Sequence, residues 1–267
     1  MAAGRLEGKT AIITGAGQTP GETIGNGRAM AMLFAREGAE VLCVDRLLDR
    51  AEETVAMIAA EGGRAFAHQA DVSQNADCAG LIEAAKTRWG RIDILVNNVG
   101  IGGGDAPAHR LEEAVWDRIM TVNLKSTWMT TKHALAVMRA QNAGSIVNIS
   151  SLAAIAGGNQ VAYEVSKAAV NRLTTSTASA NARHGVRCNA IMPGYMDTPK
   201  AVSGIAQATG QTTDAVRETR DARVPLRGKM GTGWDTAYAA LFLASDESAF
   251  ITGVVMAVDG GMSTRMG

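Results

Sequence analysis

The amino-acid sequence predicts an α/β fold built on a single doubly wound, seven-stranded parallel sheet with helices on both faces. Short β-branched runs alternate with helix-patterned stretches nearly from end to end. The runs contain continuous apolar triplets such as Ala11–Ile13 and Ile94–Val96, which suit strands buried on both faces. No Pro-, Gly- or Ser-rich linker divides the 267 residues. We therefore expect one domain spanning residues 1–267.

The predicted elements follow one another as strand, helix and strand, which implies right-handed crossovers between parallel strands. Seven strands are expected at Lys9–Thr14, Glu40–Val44, Ala65–Ala70, Ile92–Asn97, Ser145–Ile149, Val186–Ile191 and Val254–Val258. Helical patterns between them include Arg28–Glu37, Asp49–Glu61, Ala76–Trp89 and Tyr163–His184.

The stretch Lys200–Arg227 is different, because it is polar and only weakly periodic. It lies between the sixth strand and the last helix. Ligands of open α/β sheets bind beyond the carboxyl ends of the strands. We therefore expect a substrate lid at about residues 195–227, and an ordinary surface helix pair is the alternative.

The composition is that of a globular protein, with 46% hydrophobic and 19% charged residues. Lys plus Arg and Asp plus Glu both number 26, so no basic excess indicates nucleic acid or an anionic membrane surface. No apolar run approaches the roughly 20 residues of a membrane span, and Met1–Thr10 lacks the apolar core of a signal peptide. Cys43, Cys78 and Cys188 lack the CxxC or Cys/His spacing of a metal site. The sequence thus predicts a cytoplasmic protein without a metal.

A glycine-rich loop follows the first strand and contains Gly15, Gly17, Gly25 and Gly27. Glycines allow a sharp turn and close approach to a pyrophosphate, and the helix that follows supplies free N–H donors. Asp45 ends the second strand, where an acid hydrogen-bonds the ribose hydroxyls of an adenosine. A carboxylate there would repel the 2′-phosphate of NADP, so NAD is favoured, although the adjacent Arg46 could soften that rejection.

Two further strand ends carry polar residues or glycine. Asp71 and Val72 follow the third strand, and Asn98 and Gly100 follow the fourth. Asp71 could accept a hydrogen bond from an adenine amino group, and Gly100 would allow a cofactor to approach closely. Each is also common in plain turns. Their coincidence at one sheet edge indicates a dinucleotide site.

Tyr163 and Lys167 are four residues apart in a helical pattern, which puts them on one face. A phenol has a pKa near 10, and an ammonium together with a positive nicotinamide ring should lower it into the range of general acid/base catalysis. Ser150 and Ser151 end the fifth strand, where a hydroxyl could hold a substrate oxygen. Asn123 is an awkward residue inside a helical pattern, and it could carry a water that links Lys167 to solvent, or merely bend the helix.

In this order, the residues resemble the short-chain dehydrogenase/reductase family from Leu6 to Gly261. The matching pieces are Thr14–Gly15, Asp71–Val72, Asn97–Gly100, Asn123, Ser150–Ser151, Tyr163–Lys167, Pro193–Gly194 with Thr198, and Asp259–Gly261. The resemblance implies a Rossmann-type fold and a nicotinamide cofactor. It also implies a homotetramer, because the C-terminal region of such proteins often packs between subunits.

The resemblance assigns roles to individual residues. Tyr163 would be the acid/base, Lys167 would lower its pKa and bind the nicotinamide ribose, and Asn123 would support a proton relay. Ser151 would orient the substrate, with Ser150 as the alternative because it restores the usual interval to the tyrosine. Thr198 would contact the nicotinamide carboxamide, beside Pro193 and Gly194 at the end of the sixth strand.

The glycine loop departs from the family pattern through an insert, Gln18–Thr23, between Gly15 and Gly25. Such an insert is also found in enoyl reductases of fatty-acid synthesis, whose Tyr and Lys are seven positions apart. Here Val170 stands seven positions after Tyr163, and the lysine is at the four-residue spacing. Carbonyl or alcohol chemistry is therefore expected.

The predicted activity is hydride transfer between a secondary alcohol or ketone and NAD(H). A non-catalytic NAD-binding regulator and an isomerase or dehydratase with transient hydride transfer are the alternatives. The substrate is not legible from the sequence. Its candidate linings are the loop after Gly100 with His109, the stretch 157–160, Tyr195–Met196 and Lys200–Arg227.

Overall fold

A computed structural model describes residues 4–264 and contains a seven-stranded sheet. The strands are β1 Thr10–Thr14, β2 Glu40–Asp45, β3 Arg64–Gln69, β4 Ile94–Asn97, β5 Gly144–Ile149, β6 Val186–Pro193 and β9 Val255–Val258. Their order in the sheet is β3-β2-β1-β4-β5-β6-β9, and all neighbouring strands are parallel. The predicted Rossmann-type doubly wound fold is thus confirmed. The first three residues of Met1–Thr10 lie outside the described part.

Helices cover both faces of the sheet. The larger ones are α1 Asn26–Arg36, α2 Leu48–Ala60, α3 Asn75–Trp89, α4 Glu113–Met120, α5 Ser126–Gln141, α6 Val161–Asn181 and α9 Gly233–Ala244. Helices α1, α2 and α9 share one apolar core with the sheet, and α3 and α5 share the other. The two cores lie on opposite faces of the sheet. Successive side chains of a strand point to opposite faces, and in β1 Ile13 belongs to the first core whereas Ile12 belongs to the second. In the part of the chain that is described, no helix is long and apolar enough to cross a membrane.

Strands β1 and β4 are neighbours in the sheet. From β1 the chain continues to β2 and β3 on one side, and from β4 it continues to β5 and β6 on the other side, so the strand order reverses between β1 and β4. A crevice opens at the carboxyl ends of strands at such a switch point. The glycine loop follows β1, and Asn98 and Gly100 follow β4. The fold therefore brings the two predicted groups of site residues to one crevice.

The segment after β6 forms a separate small layer. A two-stranded ribbon of β7 Met196–Asp197 and β8 Gly231–Thr232 joins its two ends. Between them lie α7 Ser203–Thr209 and α8 Thr213–Asp221. These helices have an apolar core of their own, built from Val202, Ala206 and Val216 with Ile205 and Met230. We refer to residues 195–232 as the lid.

Helix α1 begins two residues before the predicted start at Arg28. Gly27 lies in its first turn, where a Cβ atom would come within 1.9 Å of the Gly15 carbonyl oxygen. Gly27 is therefore a helical residue at which α1 contacts the glycine loop closely, and it is not part of an irregular loop. Helix α6 likewise begins at Val161, so Tyr163 lies in its first turn.

Candidate active site

The glycine loop is tied to the end of β4 by Asn98. Its backbone N–H donates to Thr14 Oγ1 at 3.1 Å, and its side-chain amide donates to the carbonyls of Thr14 at 3.2 Å and Gly15 at 3.1 Å. Gly15 has φ +66°, a conformation that favours glycine. Asn98 thus braces the loop from below, and its amide is already engaged by the backbone.

Asp45 lies at the tip of β2 with its carboxylate against the glycine loop. It accepts hydrogen bonds from the backbone N–H groups of Gly17 and Leu47, both at 3.1 Å. A Cβ atom on Gly17 would lie 2.7 Å from Asp45 Oδ2, so the approach requires glycine. No basic side chain pairs with Asp45 within residues 4–264. The carboxylate is held in place and keeps accepting capacity.

Asp71 and Val72 lie beyond the end of β3. Asp71 accepts a hydrogen bond from the Ser73 N–H at 2.9 Å, while its own N–H donates to Asp77 at 2.8 Å. The Val72 side chain is buried in the second core. Val72 can therefore contribute to a cofactor site only through its backbone, whereas Asp71 presents a carboxylate.

The insert Gln18–Thr23 is closed by one side chain. The Gln18 amide donates to the Thr23 carbonyl at 3.1 Å and accepts from the Gly25 N–H at 2.8 Å. The outer part of the insert meets the lid, because Glu22 pairs with Arg217 at 3.0 Å. A Cβ atom on Gly21 would lie 2.7 Å from Pro199 Cβ. The insert is thus a built contact between glycine loop and lid.

Tyr163 is positioned by an aspartate from a distant loop. Asp105 accepts hydrogen bonds from the backbone N–H groups of Tyr163 at 2.7 Å and Ala162 at 3.2 Å. It thereby satisfies two of the free donors at the start of α6 and places a negative charge at the positive helix end. Sequence reasoning missed Asp105, which lies 58 residues from Tyr163 and carries no local signal.

Lys167 lies one turn further along α6 and is buried, with 3% of its surface exposed. Its ammonium donates to the Ile149 carbonyl at 2.8 Å and lies 5.7 Å from the centroid of the Tyr163 ring. A Cβ atom on Gly100 would lie 2.9 Å from this nitrogen. Burial, and then the charge of Lys200, lower the pKa of Lys167 to about 7.

The two serines after β5 have different partners. The Ser150 hydroxyl is buried and donates to the Lys167 carbonyl at 3.0 Å. The Ser151 side chain lies at the Tyr163 phenol, where its hydrogen bond lowers the phenol's pKa, and it also accepts from the Ala153 N–H at 3.1 Å. Of the two, Ser151 is the serine that faces the tyrosine.

The pKa of Tyr163 is predicted to fall under Lys167 and a positive nicotinamide ring acting together, and the protein's own groups do not produce that fall. Burial raises the pKa of the phenol, and this exceeds the opposing effect of Ser151. Lys167 does not compensate, because the same burial disfavours its charged form. At neutral pH the protein's own groups therefore hold the phenol in its protonated form.

Asn123 lies in a π-helical turn, Thr121–Lys125, that joins α4 to α5. Its side chain accepts from the Ile101 N–H at 2.7 Å and donates to the Ile101 carbonyl at 2.9 Å and to Ser166 Oγ at 3.0 Å. The wide turn lets a buried polar side chain reach the loop after β4. Asn123 thus clamps that loop to α6 beside Lys167.

Pro193, Gly194 and Thr198 lead from β6 into the lid. Gly194 is required by packing, since a Cβ atom would lie 2.8 Å from Asp259 Cα. Thr198 is buried, and its hydroxyl accepts a 3.4 Å hydrogen bond from the Ala201 N–H. All three lie on the rim of the crevice, where the lid begins.

Only some of the residues expected to line the substrate site lie beside the crevice. Gly102 lies against the tyrosine, since its Cβ atom would be 3.4 Å from Tyr163 Cδ2. His109 is exposed and hydrogen-bonds only to neighbouring Arg110, at 3.2 Å, in the described structure. Met196 is buried in the ribbon of the lid. The loop from Gly100 to Gly102 and the lid are therefore the walls nearest the chemistry.

The residues present fit a nicotinamide dinucleotide. Glycines line both ends of the crevice at positions where a Cβ atom would intrude on Gly15, Asp45 or Lys167. The start of α1 supplies backbone donors of the kind that bind a pyrophosphate. Asp45 and Tyr163 lie at opposite ends of this cradle. A hydroxyl-binding acid at one end and a proton-transferring phenol at the other match the two halves of such a cofactor.

Comparison with known proteins agrees with this architecture. A family model described as enoyl-(acyl carrier protein) reductase matches residues 22–263. The 3-oxoacyl-[acyl-carrier-protein] reductase FabG of Thermotoga maritima is 37% identical, over 97% of this chain and 99% of the relative. The cis-4-hydroxycyclohexanecarboxylate dehydrogenase of Sinomonas cyclohexanicum is also 37% identical, over 95% and 96%.

A solved structure adds the three-dimensional likeness. A Burkholderia xenovorans protein assigned as a short-chain dehydrogenase/reductase superposes with a TM-score of 0.94 at 42% identity. The match covers 99% of this chain and 100% of that one.

Proposed function

Because this chain belongs to the short-chain dehydrogenase/reductase family, a family of nicotinamide-dependent oxidoreductases, we propose that it interconverts a secondary alcohol and a ketone with NAD(H). The observation that carries the proposal is the Tyr163 phenol, which hydrogen-bonds Ser151 and whose ring centroid lies 5.7 Å from the Lys167 ammonium. These groups meet at the crevice whose other end holds Asp45.

A nicotinamide held in this crevice would accept or donate the hydride. This chain's residues then handle the oxygen and its proton. In the reductive direction Ser151 donates a hydrogen bond to the carbonyl oxygen, and Tyr163 gives its phenolic proton to that oxygen as the C–H bond forms. Alcohol oxidation is the reverse, with the phenolate taking the hydroxyl proton. Lys167 would hold the nicotinamide ribose, and the charged form of Lys167 would favour the phenolate.

The tyrosine–lysine spacing favours this reaction over enoyl reduction. Tyr163 and Lys167 are four residues apart on α6, and position 170 is a buried valine. The name of the matching family model therefore does not determine the chemistry of this site. A non-catalytic NAD-binding regulator would have no use for Ser151, Tyr163 and Lys167 together.

NAD is the proposed cofactor because of Asp45. Its carboxylate, fixed by the N–H groups of Gly17 and Leu47, can accept hydrogen bonds from two ribose hydroxyls. A 2′-phosphate would meet a fixed negative charge at that place. Asp71, Val72, Asn98, Gly100, Pro193, Gly194 and Thr198 complete the proposed cofactor contacts, and Asn123 is proposed to support the proton relay.

The test is Tyr163→Phe, which removes only the phenolic oxygen. We expect NADH binding, measured by fluorescence, to remain near the wild-type value. Turnover of secondary alcohols and ketones should fall by about 10²- to 10⁴-fold, the usual contribution of a general acid/base.

Tyr238→Phe makes the same change at an exposed residue of α9 and is the matched control. Near-normal turnover in the Tyr163 variant contradicts the proposed mechanism. A wild-type protein that binds NAD but oxidises no alcohol in a broad panel would instead support the regulator.

A further inference from the structure

The chemical end of the crevice holds two ammonium groups without a counter-ion. Lys200, in the lid, donates a hydrogen bond to the Gly100 carbonyl. Its charge acts on Lys167, whose pKa is lowered first by burial and then by Lys200. Throughout residues 4–264, no carboxylate forms an ion pair with either lysine.

The carboxylates of this region have other partners. Asp105 accepts from the start of α6, and Glu164 accepts from the N–H groups of Gly158 at 2.6 Å and Gln160 at 2.9 Å. Asp197 and Glu22 both pair with Arg217. None of them forms an ion pair with Lys200. The wall formed by the lid and the Gly100–Gly102 loop therefore presents an ammonium group that has no carboxylate partner.

Lys200 and Lys167 both donate to a neutral backbone carbonyl, but they differ in accessibility. Lys167 is buried, whereas Lys200 is an exposed residue of the lid whose ammonium lies close enough to protein atoms that burial lowers its pKa. An ammonium gains more from a charged oxygen than from a carbonyl. Its four-carbon stem also lets it reach a ligand without movement of the backbone. An anionic group entering beside Gly100 would thus displace a weak partner.

We propose that Lys200 binds an acidic group of the substrate, a carboxylate or a similar anion, and so makes this a dehydrogenase for hydroxy acids or keto acids. The inference rests on the proposed function and names its substrate class. The position of Lys200 supports it, because Gly100 adjoins Lys167 and Gly102 adjoins Tyr163, so the ammonium lies at the chemical end. A diphosphate oxygen of the cofactor is the other anion within reach, and the experiment separates the two.

The experiment measures binding rather than turnover, so its outcome is independent of whether an alcohol is oxidised. Butyrate, cyclohexanecarboxylate and benzoate are each titrated calorimetrically into the protein–NADH complex beside the matching neutral amide. In the wild type we expect at least one acid to bind about tenfold more tightly than its amide, which corresponds to about 1.4 kcal/mol. Lys200→Gln should abolish this preference, and Lys200→Arg should retain most of it.

Lys86→Gln, on the exposed surface of α3, is the matched control and should keep the preference. The NADH dissociation constant should stay within about twofold in every variant, and thermal melting checks that each one folds. A preference for the acid that survives in Lys200→Gln, or that is absent from all three pairs in the wild type, overturns the proposal. A loss of NADH affinity with an unchanged acid preference also overturns it and assigns Lys200 to the cofactor diphosphate.

Discussion

At the scale of single residues, Asp45 is a carboxylate whose position is fixed by the backbone. Its two carboxylate oxygens accept from different backbone N–H groups, one in the glycine loop and one at the start of α2. A free carboxylate could turn away from a 2′-phosphate, but turning would leave both donors without a partner. The proposed discrimination between NAD and NADP rests on repulsion at this fixed place.

Asp45→Asn should weaken this discrimination, because it removes the charge and nearly keeps the shape. We expect the ratio of kcat/KM for NAD to that for NADP to fall by about tenfold or more, since each 1.4 kcal/mol of lost repulsion is one factor of ten. The measurement is initial-rate kinetics with both cofactors and one substrate.

Asp49→Asn removes the same charge from an exposed position in the first turn of α2, and it should leave the ratio unchanged. An unchanged ratio in the Asp45 variant would show that other groups select the cofactor.

Tyr163 shows where residue-scale reasoning from sequence ends. The four-residue spacing of Tyr163 and Lys167 correctly indicates proximity, because it depends only on helix geometry. The direction of the pKa shift depends on burial, which the spacing does not contain. Burial raises the pKa of the phenol and lowers that of the ammonium, so the pair is less ionised than a charge argument alone predicts.

At the scale of elements, the Arg217 guanidinium supplies the ion pairs between the lid and the insert of the glycine loop, beside a weaker 3.4 Å hydrogen bond from Thr23 to Asp197. Arg217 of α8 donates to Asp197 at the base of the lid and to Glu22 in the insert, both at 3.0 Å. Glu22 is largely exposed, whereas Asp197 and Arg217 are each about a quarter exposed. The ion pair between Arg217 and Asp197 is therefore better shielded from solvent. The ion pair between Arg217 and Glu22 is the one that breaks more easily when the lid opens.

Arg217→Met should loosen the lid, because it removes the ion pairs with Glu22 and Asp197, together with the exposed one with Asp214 in α8, and keeps an apolar stem. We expect NADH to dissociate several-fold faster in stopped-flow experiments. Proteolysis within residues 200–227 should also become faster. Glu22→Gln should have a smaller effect that declines with added salt, because an exposed pair contributes at most about 1 kcal/mol and is screened.

The control for this contact is the double variant that combines Arg217→Met with Glu22→Gln. If Glu22 acts through Arg217, Glu22→Gln should add nothing in the Arg217→Met background. An NADH release rate that is the same in wild type and Arg217→Met would mean that the insert does not restrain the lid.

The same elements show which parts of the fold were legible. Strands β1 and β4 were predicted because burial on both faces leaves continuous apolar runs. Helix α8 gave almost no pattern, because Val216 is its only buried residue in a strongly polar segment. Two contacts join positions that are far apart in sequence, so no local motif predicts them. They are the ion pair of the insert with Arg217 and the cap that Asp105 provides to α6. Asn123 was noticed as awkward, but the π-helical turn that accommodates it was not predicted.

At the scale of the whole molecule, two places expose apolar side chains. One is the groove between α4, α5 and α6, whose lining includes Met120, Leu124, Trp128 and Leu173 together with the charged Asp117 and Lys125. The other is at Phe250, which is fully exposed and lies shortly before β9, the edge strand of the sheet. Contiguous exposed apolar patches and open sheet edges usually mark association surfaces. With 26 residues of each charge, no net charge opposes self-association.

We propose that second copies of this chain cover both surfaces and form a homotetramer with two kinds of two-fold interface. Trp128→Glu and Phe250→Glu should each break one interface and leave a dimer, and the double variant should be a monomer. Sedimentation velocity measures all three. Leu48→Glu makes the same kind of change at an exposed residue of α2, outside both surfaces, and should remain tetrameric. A monomeric wild type, or variants that keep its assembly state, would contradict the arrangement.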